Sequence, residues 1–154
     1  MMEDLQRVLR EHHFLKGLSD DHIHLVVGCT KNMRFKKSEY LLREGAASGT
    51  FYLLREGQVS LEAYVSGKGV MRLETVEPGD VLGVSWAFPP SRAHLDARAL
   101  EPVLAFAVDG ACLHAKMEAD PALGYALMKP LLEATYARLE RSRLQGLDVY
   151  RTGV

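Results

Sequence analysis

The chain lacks an excess of charge of either sign. Its 154 residues carry 19 lysines and arginines against 20 aspartates and glutamates, a formal net charge of -1. Proteins that bind nucleic acid or anionic lipid through their overall field carry a positive excess, because phosphate groups attract it over long distances. The balance therefore predicts no direct DNA binding and no attachment to a membrane surface through charge.

Long apolar runs are also missing, and there are only two cysteines. No stretch approaches the roughly 18 apolar residues that a membrane-spanning helix needs, and the start of the chain lacks the apolar segment of a secretion signal. Cys29 and Cys112 have neither CxxC nor Cys/His spacing, so we predict no zinc or iron–sulfur site and expect two buried thiols. These absences favour a cytoplasmic protein.

The composition that remains is that of an ordinary folded protein. Hydrophobic residues make up 47% of the chain and charged residues 25%, close to globular averages, which predicts one domain over residues 1–154. Apolar residues recur at helical spacing between Leu5 and Phe14, and Ser19 is a typical N-cap for a second short helix. We therefore predict N-terminal helices within residues 1–32.

Residues 33–109 change to short β-branched and aromatic runs that are separated by glycine, a texture typical of many short strands. Eight such runs predict a jelly-roll sandwich or a small barrel, which leaves few exposed sheet edges. The predicted strands are Met33–Phe35, Tyr40–Arg43, Thr50–Arg55, Gln58–Tyr64, Val70–Val76, Val81–Gly83, His94–Ala99 and Val103–Val108.

Helical periodicity returns in residues 111–147. A short helix is predicted over Ala111–Glu118, and Asp120 followed by Pro121 is a typical N-cap and first position of another helix. That second helix is predicted to be long, since apolar residues keep helical spacing as far as Leu147. Pro130 lies inside it and is expected to kink it, because proline has no amide to donate.

Three phrases in this order resemble the cyclic-nucleotide-binding domain of Crp/Fnr-type regulators. They are EYLLREGAASGTFYLLREGQVSL (Glu39–Leu61), VEPGDVLG (Val76–Gly83) and DARALEPVLAFAVD (Asp96–Asp109). The resemblance implies a mainly β fold with flanking helices: a jelly-roll (double-stranded β-helix) followed by a long C-terminal helix. It also implies a non-enzymatic domain that senses a small ligand and acts in signal transduction.

In that family, a short cassette after the turn corresponding to Gly83 binds cyclic AMP or a related nucleotide. Exposed backbone amides and an arginine bind the cyclic phosphate, and a glutamate binds the ribose. The long helix contributes polar side chains to the same pocket. The candidate ligand-binding residues implied here, for cyclic AMP or another small anionic ligand, are Gly83, Val84, Ser85, Trp86, Arg92, Ala93, His94, Thr135 and Arg138.

The cassette departs from the family pattern at Val84, which stands where the ribose-binding glutamate is expected. Trp86 is bulky, so it could stack on a different planar ligand or fill the pocket. Three alternatives follow: a cyclic-nucleotide sensor, a sensor of another small ligand, or a ligand-free interaction module. A cupin-like metalloenzyme is a further alternative, although His94 is the one histidine in the predicted strands and bound metal would have to be shown.

The remaining expectations concern partners and catalysis. The long helix resembles the family's dimer helix, which implies a homodimer through Pro121–Leu147 and a possible regulatory protein partner. The family's regulators continue into a helix-turn-helix domain, whereas this sequence ends at Val154, so DNA binding by that route is not expected. No catalytic pair stands out, since five carboxylates are predicted to face solvent: Glu44, Glu56, Glu62, Glu74 and Glu77.

Overall fold

Eight strands form two four-stranded antiparallel sheets, with short helices before them and a long helix after them. The computed structural model describes residues 4–47, 49–84, 92–93 and 95–152, with side chains described as far as residue 146. The helices are α1 (Leu5–Glu11), α2 (Asp20–Val27), α3 (Gly110–Ala119) and α4 (Pro121–Thr152), with a 3-10 turn at His13–Leu15. The strands are β1 (Thr30–Phe35), β2 (Tyr40–Leu42), β3 (Thr50–Glu56), β4 (Val59–Val65), β5 (Gly69–Val76), β6 (Val81–Leu82), β7 (Asp96–Ala99) and β8 (Val103–Asp109).

The two sheets have the strand orders β1-β8-β3-β6 and β2-β7-β4-β5. Side chains alternate between the two faces of a strand, and this alternation divides β3 between two cores. Phe51 and Leu53 belong to a core shared with the helices, whereas Tyr52 and Leu54 belong to the core between the sheets. A strand buried on both faces needs a continuous apolar run, which accounts for the FYLL sequence.

The predicted jelly-roll with flanking helices is confirmed, and the strand boundaries differ by more than one residue in two places. Strand β1 begins at Thr30 rather than Met33, because it pairs with β8 along its whole length, from Thr30 opposite Val108 to Phe35 opposite Val103. Its first residues are polar because β1 is an edge strand with much of its surface exposed. At β7 the strand begins at Asp96, and His94 lies outside the described residues.

The predicted caps Ser19 and Asp120 are confirmed, and α3 begins at Gly110, one residue before its predicted start, with Asp109 as its cap. The Ser19 hydroxyl accepts the amide of His22, and Asp109 accepts the amide of Cys112 in the first turn of α3. At the start of α4, the Asp120 carboxylate accepts the amide of Ala122. Each cap satisfies an amide that has no partner within its own helix.

Helix α4 is longer than predicted, since it runs to Thr152 instead of ending at Leu147. Pro130 lies inside it and does not end it, because the loss of one amide donor is offset by the packing of the buried face. That face carries Leu123, Leu127 and Leu131, all of them buried in the helix-side core. No helix in the described ranges is long and apolar enough to cross a membrane.

The expectation of two buried thiols is wrong, because Cys29 and Cys112 form a disulfide. Their Cα atoms are 5.7 Å apart although the residues are separated by 83 positions in the sequence. The pairing of β1 with β8 explains the proximity: Cys29 immediately precedes β1, and Cys112 lies just beyond the end of β8. Sequence spacing alone could not show this, because the contact depends on the sheet topology.

His12 joins the N-terminal helices to the sheet. Its Nδ1 accepts the amide of Phe14 at 3.2 Å, and its Nε2 lies 2.9 Å from the carbonyl oxygen of Leu54. Since Nδ1 is an acceptor, the neutral tautomer that carries its proton on Nε2 satisfies both contacts. Burial lowers the pKa of His12 below its ordinary value. The folded state therefore favours the neutral imidazole.

This arrangement predicts that the protein loses stability as the pH falls below about 6.5, the ordinary pKa of histidine. In the unfolded chain His12 binds a proton near that pH, whereas the folded chain resists protonation to a lower pH, so acid favours unfolding. Urea unfolding at several pH values should show the loss in the wild-type chain and a reduced loss in His12→Gln. The exposed His24 provides the control, because His24→Gln leaves both contacts of His12 in place and should retain the loss of stability in acid.

Candidate functional site

The candidate site begins where the chain leaves β6 at Gly83. Gly83 has a φ of +83°, a conformation that side chains with a Cβ rarely adopt. A Cβ here would lie 3.2 Å from the carbonyl oxygen of Thr50 and 3.3 Å from the Cα of Phe51. Close backbone approach and turn geometry therefore both require glycine, and they fix the direction in which the chain leaves the sheet.

The far end of the same segment returns to the connection between β2 and β3. The amide of Ala93 donates to the carbonyl of Ala46, and the amide of Gly45 donates to the carbonyl of Ala93. Arg92 forms an isolated bridge with Ala47 and donates from Nη1 to the carbonyl of Gly45 at 2.9 Å. Both ends of the segment therefore lie against residues 45–47 and 50–51, which form one wall of the candidate site.

The predicted cassette residues divide into described and undescribed ones. Ser85, Trp86 and His94 lie outside the described residues. Val84 is partly buried and packs against the helix-side core, so its position is apolar and supplies no carboxylate. Ala93 is buried, whereas Arg92 is exposed. The Arg92 guanidinium donates to the Gly45 carbonyl and is also exposed, so it can bind an anion that arrives from solvent.

The two candidates on α4 make contacts away from Arg92. The Thr135 hydroxyl donates to the carbonyl of Leu131 at 2.8 Å, within its own helix. Arg138 donates from Nη2 to the carbonyl of Val81 at 3.1 Å, and its Nε lies 3.3 Å from a carboxylate oxygen of Glu74. These contacts place Arg138 beside β5 and β6, so α4 is fastened to the strand that leads into Gly83.

Glu74 is therefore a charged contact point for α4, in contrast to its predicted exposure to solvent. Besides Arg138, it accepts a hydrogen bond from Nε of Arg141 at 2.8 Å. One helical turn further on, Gln145 donates to the carbonyl of Leu73 at 3.2 Å. The second half of α4 is thus held along β5 by polar contacts, a role that alternation along the strand could not indicate.

Glu62 is a second carboxylate that was predicted to face solvent and is in fact buried. It accepts two hydrogen bonds from Arg98, at 3.1 Å from Nε and 2.8 Å from Nη2. These bonds hold the pKa of Glu62 below its ordinary value despite burial, which acts in the opposite direction. The neighbouring Ser60 is also buried, and its hydroxyl accepts from Nε of Arg72 at 3.0 Å.

No spacing in the sequence signals the Glu62–Arg98 pair, since the residues meet through strand register. Strand β7 pairs with β4, which places Arg98 opposite Ser60, and the β4–β5 register shifts between Leu61 and Glu62. The pair is a structural feature of the sheet that borders the candidate site. It does not resemble a catalytic dyad, because the carboxylate is fully engaged by a guanidinium.

A surface cleft of about 570 Å³ lies on the helix side of the molecule. Its walls come from the His13–Gly17 segment, the Gly79–Val81 segment and the part of α4 around Pro130. Lys16, Lys129, Asp80 and Glu133 give it both signs of charge. Within the described ranges, no three histidine, cysteine, aspartate or glutamate residues are placed to hold a metal ion.

Comparison with known families and structures agrees with this geometry. The model of the cyclic nucleotide-binding domain matches residues 32–120, more than half of the chain. A crystal structure from Geobacter metallireducens GS-15, named for cyclic nucleotide binding, is 30% identical, with a TM-score of 0.77 over 90% of this chain and 99% of that one. No curated protein matches the chain.

Two more distant structures show the same fold. A cyclic nucleotide-binding domain from Methylobacillus flagellatus has a TM-score of 0.83 at 18% identity, over 93% of this chain and 84% of that one. The regulatory domain of Toxoplasma gondii PKA, crystallised with cAMP, has a TM-score of 0.64 at 17% identity, over 75% of this chain and 46% of that one.

Proposed function

Because the chain belongs to the cyclic nucleotide-binding domain family, we propose that it is a non-enzymatic regulatory domain that senses a small anionic ligand. A cyclic nucleotide, with cyclic AMP first, is the ligand that the family relationship favours. The ligand would bind beside the segment between Gly83 and Ala93. We also propose that it acts in the cytoplasm.

The observation that carries the proposal is the frame around this segment. The chain leaves the sheet at Gly83, which lies against Thr50 and Phe51. At the other end of the segment, Arg92 donates to the Gly45 carbonyl. The two ends are therefore held on one wall, with a guanidinium at the exit. Because the end of the segment is anchored there, the exposed guanidinium of Arg92 is held in a defined place from which it can bind a phosphate.

The ligand proposal is tested by titrating the protein with cyclic AMP and cyclic GMP. Trp86 is the single tryptophan, so its fluorescence reports directly on the proposed site, and calorimetry gives the heat of binding. We expect saturable binding that weakens at least tenfold in Arg92→Ala, because a charge-assisted contact to the phosphate is lost.

The matched control is Arg43→Ala, which removes another exposed arginine near Asp96 and should leave the affinity unchanged. If Arg92→Ala binds as tightly as the unaltered chain, Arg92 has no role in anion binding. Silence with both nucleotides in both measurements would favour the alternative that Trp86 fills the pocket of an interaction module. Stoichiometric metal in freshly purified protein would instead support the cupin-like alternative.

We also propose that the protein is a homodimer through α4. The helix exposes a stripe of large apolar side chains on the face opposite its buried leucines. Three of them, Tyr125, Leu132 and Leu139, recur every seven residues, and Tyr136 lies on the same side. Leu132 is 70% exposed. A seven-residue apolar repeat on a long helix fits a second copy of the same helix, because each copy offers the other identical knobs and holes.

Leu132→Glu is expected to convert the dimer to a monomer, since it places a charge at the centre of the stripe. Analytical ultracentrifugation over a range of concentrations measures the change. Ala115→Glu, at an exposed position of α3, adds the same charge elsewhere and should leave the dimer intact. A monomer in the unaltered protein would contradict the proposal.

A further inference from the structure

Helices α2 and α3, together with the residues that directly follow each of them, are joined at three places. Contacts that come later in the sequence of α3 are made to residues that come earlier in α2, so the two helices run antiparallel. We call this series of contacts a ladder and each contact a rung. Its three rungs are the Cys29–Cys112 disulfide, a 2.8 Å hydrogen bond from Nζ of Lys116 to the Leu25 carbonyl, and a 3.5 Å contact between Nε2 of His22 and the Asp120 carboxylate. The covalent rung lies at one end of this ladder.

The other two rungs and the sheet hold the cysteines near each other even without the disulfide. The amide of Asp109 donates to the carbonyl of Cys29 at 2.9 Å, next to the pairing of β1 with β8. Lys116 lies across Gly28, where an added Cβ would overlap Nζ. Two free thiols would therefore remain in place after reduction, which favours rapid closure of the bond.

The two sulfurs differ in their access to solvent. Cys29 is buried, whereas Cys112 is partly exposed in the first turn of α3. An incoming thiol can thus reach Cys112, with the sulfur of Cys29 as the leaving group.

We propose that Cys29 and Cys112 form a reversible redox site that controls how tightly α3 is held against α2. In reduction, the thiolate of a small dithiol attacks Sγ of Cys112, and Cys29 leaves as a thiolate and takes up a proton. The second thiol of the reagent then displaces Cys112 as a thiol. Two electrons and two protons have passed to the protein, and the dithiol has become a disulfide.

The reverse reaction needs an oxidant of the disulfide class, such as glutathione disulfide, which is reduced to two thiols. Reduction leaves the hydrogen bond of Lys116 and the contact of His22 as the links between α2 and α3. Because Asp120 alone separates α3 from α4, a looser α3 also loosens the start of α4. The inference does not depend on ligand binding, because none of the three rungs involves a residue of the Gly83–Ala93 segment.

The test counts free thiols in the full, folded chain. We expect no N-ethylmaleimide adduct by mass spectrometry in the isolated protein and two adducts after dithiothreitol without denaturant. The count should return to none after exchange into glutathione disulfide. Two adducts before any reduction, or adducts that appear only in denaturant, would overturn the proposal.

The conformational part is tested by hydrogen exchange of both redox forms. We expect faster exchange of the α3 amides in the reduced protein, and Cys112→Ser should exchange as the reduced form does under both conditions. Lys116→Gln should slow closure by glutathione disulfide several-fold, because it removes the non-covalent rung nearest the thiols. Identical α3 exchange in both forms would show that the bond exerts no control over the helix.

Discussion

Reduction of the Cys29–Cys112 disulfide is expected to lower the free energy of unfolding by roughly 4 kcal/mol. The bond closes a loop across 83 positions of the sequence, and a crosslink of that span removes much of the conformational entropy of the unfolded chain. For a chain of this length the loss corresponds to a fall in melting temperature of roughly 10 °C. Urea and thermal unfolding with and without dithiothreitol measure it.

Cys112→Ser separates the crosslink from other effects of the reducing agent. In dithiothreitol, the variant and the unaltered protein should unfold at nearly the same urea concentration, because neither has the bond. Without dithiothreitol, the unaltered protein should be more stable than Cys112→Ser by the roughly 4 kcal/mol assigned to the disulfide. If Cys112→Ser and the unaltered protein were equally stable both with and without dithiothreitol, the crosslink would not constrain the unfolded chain.

Arg98→Ala is expected to cost about 3 kcal/mol, since it leaves the buried carboxylate of Glu62 without its charged partner. In the unaltered protein, the hydrogen bonds of Arg98 lower the pKa of Glu62, so this pair stabilises the fold above the ordinary glutamate pKa and loses that contribution in acid. The variant should show the opposite trend, because burial without a partner raises the pKa and protonation relieves the penalty. Urea unfolding between neutral and acidic pH distinguishes the two trends.

Two controls define the cause of the loss. Arg72→Ala removes the arginine that lies opposite Glu62 on β5 and donates to Ser60. Its effect on Glu62 is coulombic and weaker than that of the Arg98 hydrogen bonds, so this variant should cost only about 1 kcal/mol. The double variant Glu62→Gln, Arg98→Ala should recover most of the stability, because no buried charge remains. A double variant as unstable as Arg98→Ala would assign the loss to packing rather than charge.

The fold could be predicted because its signals are local. Glycine spacing marks the turns, the FYLL and VLAFAV runs mark strands buried on both faces, and Ser19 and Asp120 mark helix starts. Each signal depends on residues a few positions apart, and each holds in the structure. Helix α4 continues past its predicted end at Leu147 because Gly146 weakens a helix by only about 1 kcal/mol, and no proline follows it in the sequence.

The contacts that the sequence did not reveal are those set by register and topology. Cys29 meets Cys112, Arg98 meets Glu62 and Arg138 meets Glu74 only after the sheets have formed. Alternation along a strand indicates which side chains share a face, but it does not show that another element covers that face. For the same reason, the resemblance could assign Arg138 to the candidate site but could not show its contact with Glu74.

The pairing of β8 with both β1 and β3 also sets the order in which the protein can fold. Strand β3 is bordered by β6 and β8, so during synthesis one edge of its apolar sequence stays open until β8 has left the ribosome. Contacts between such distant segments slow folding, and an open apolar edge promotes aggregation in the meantime. The nascent chain is therefore most vulnerable between completion of β3 and completion of β8.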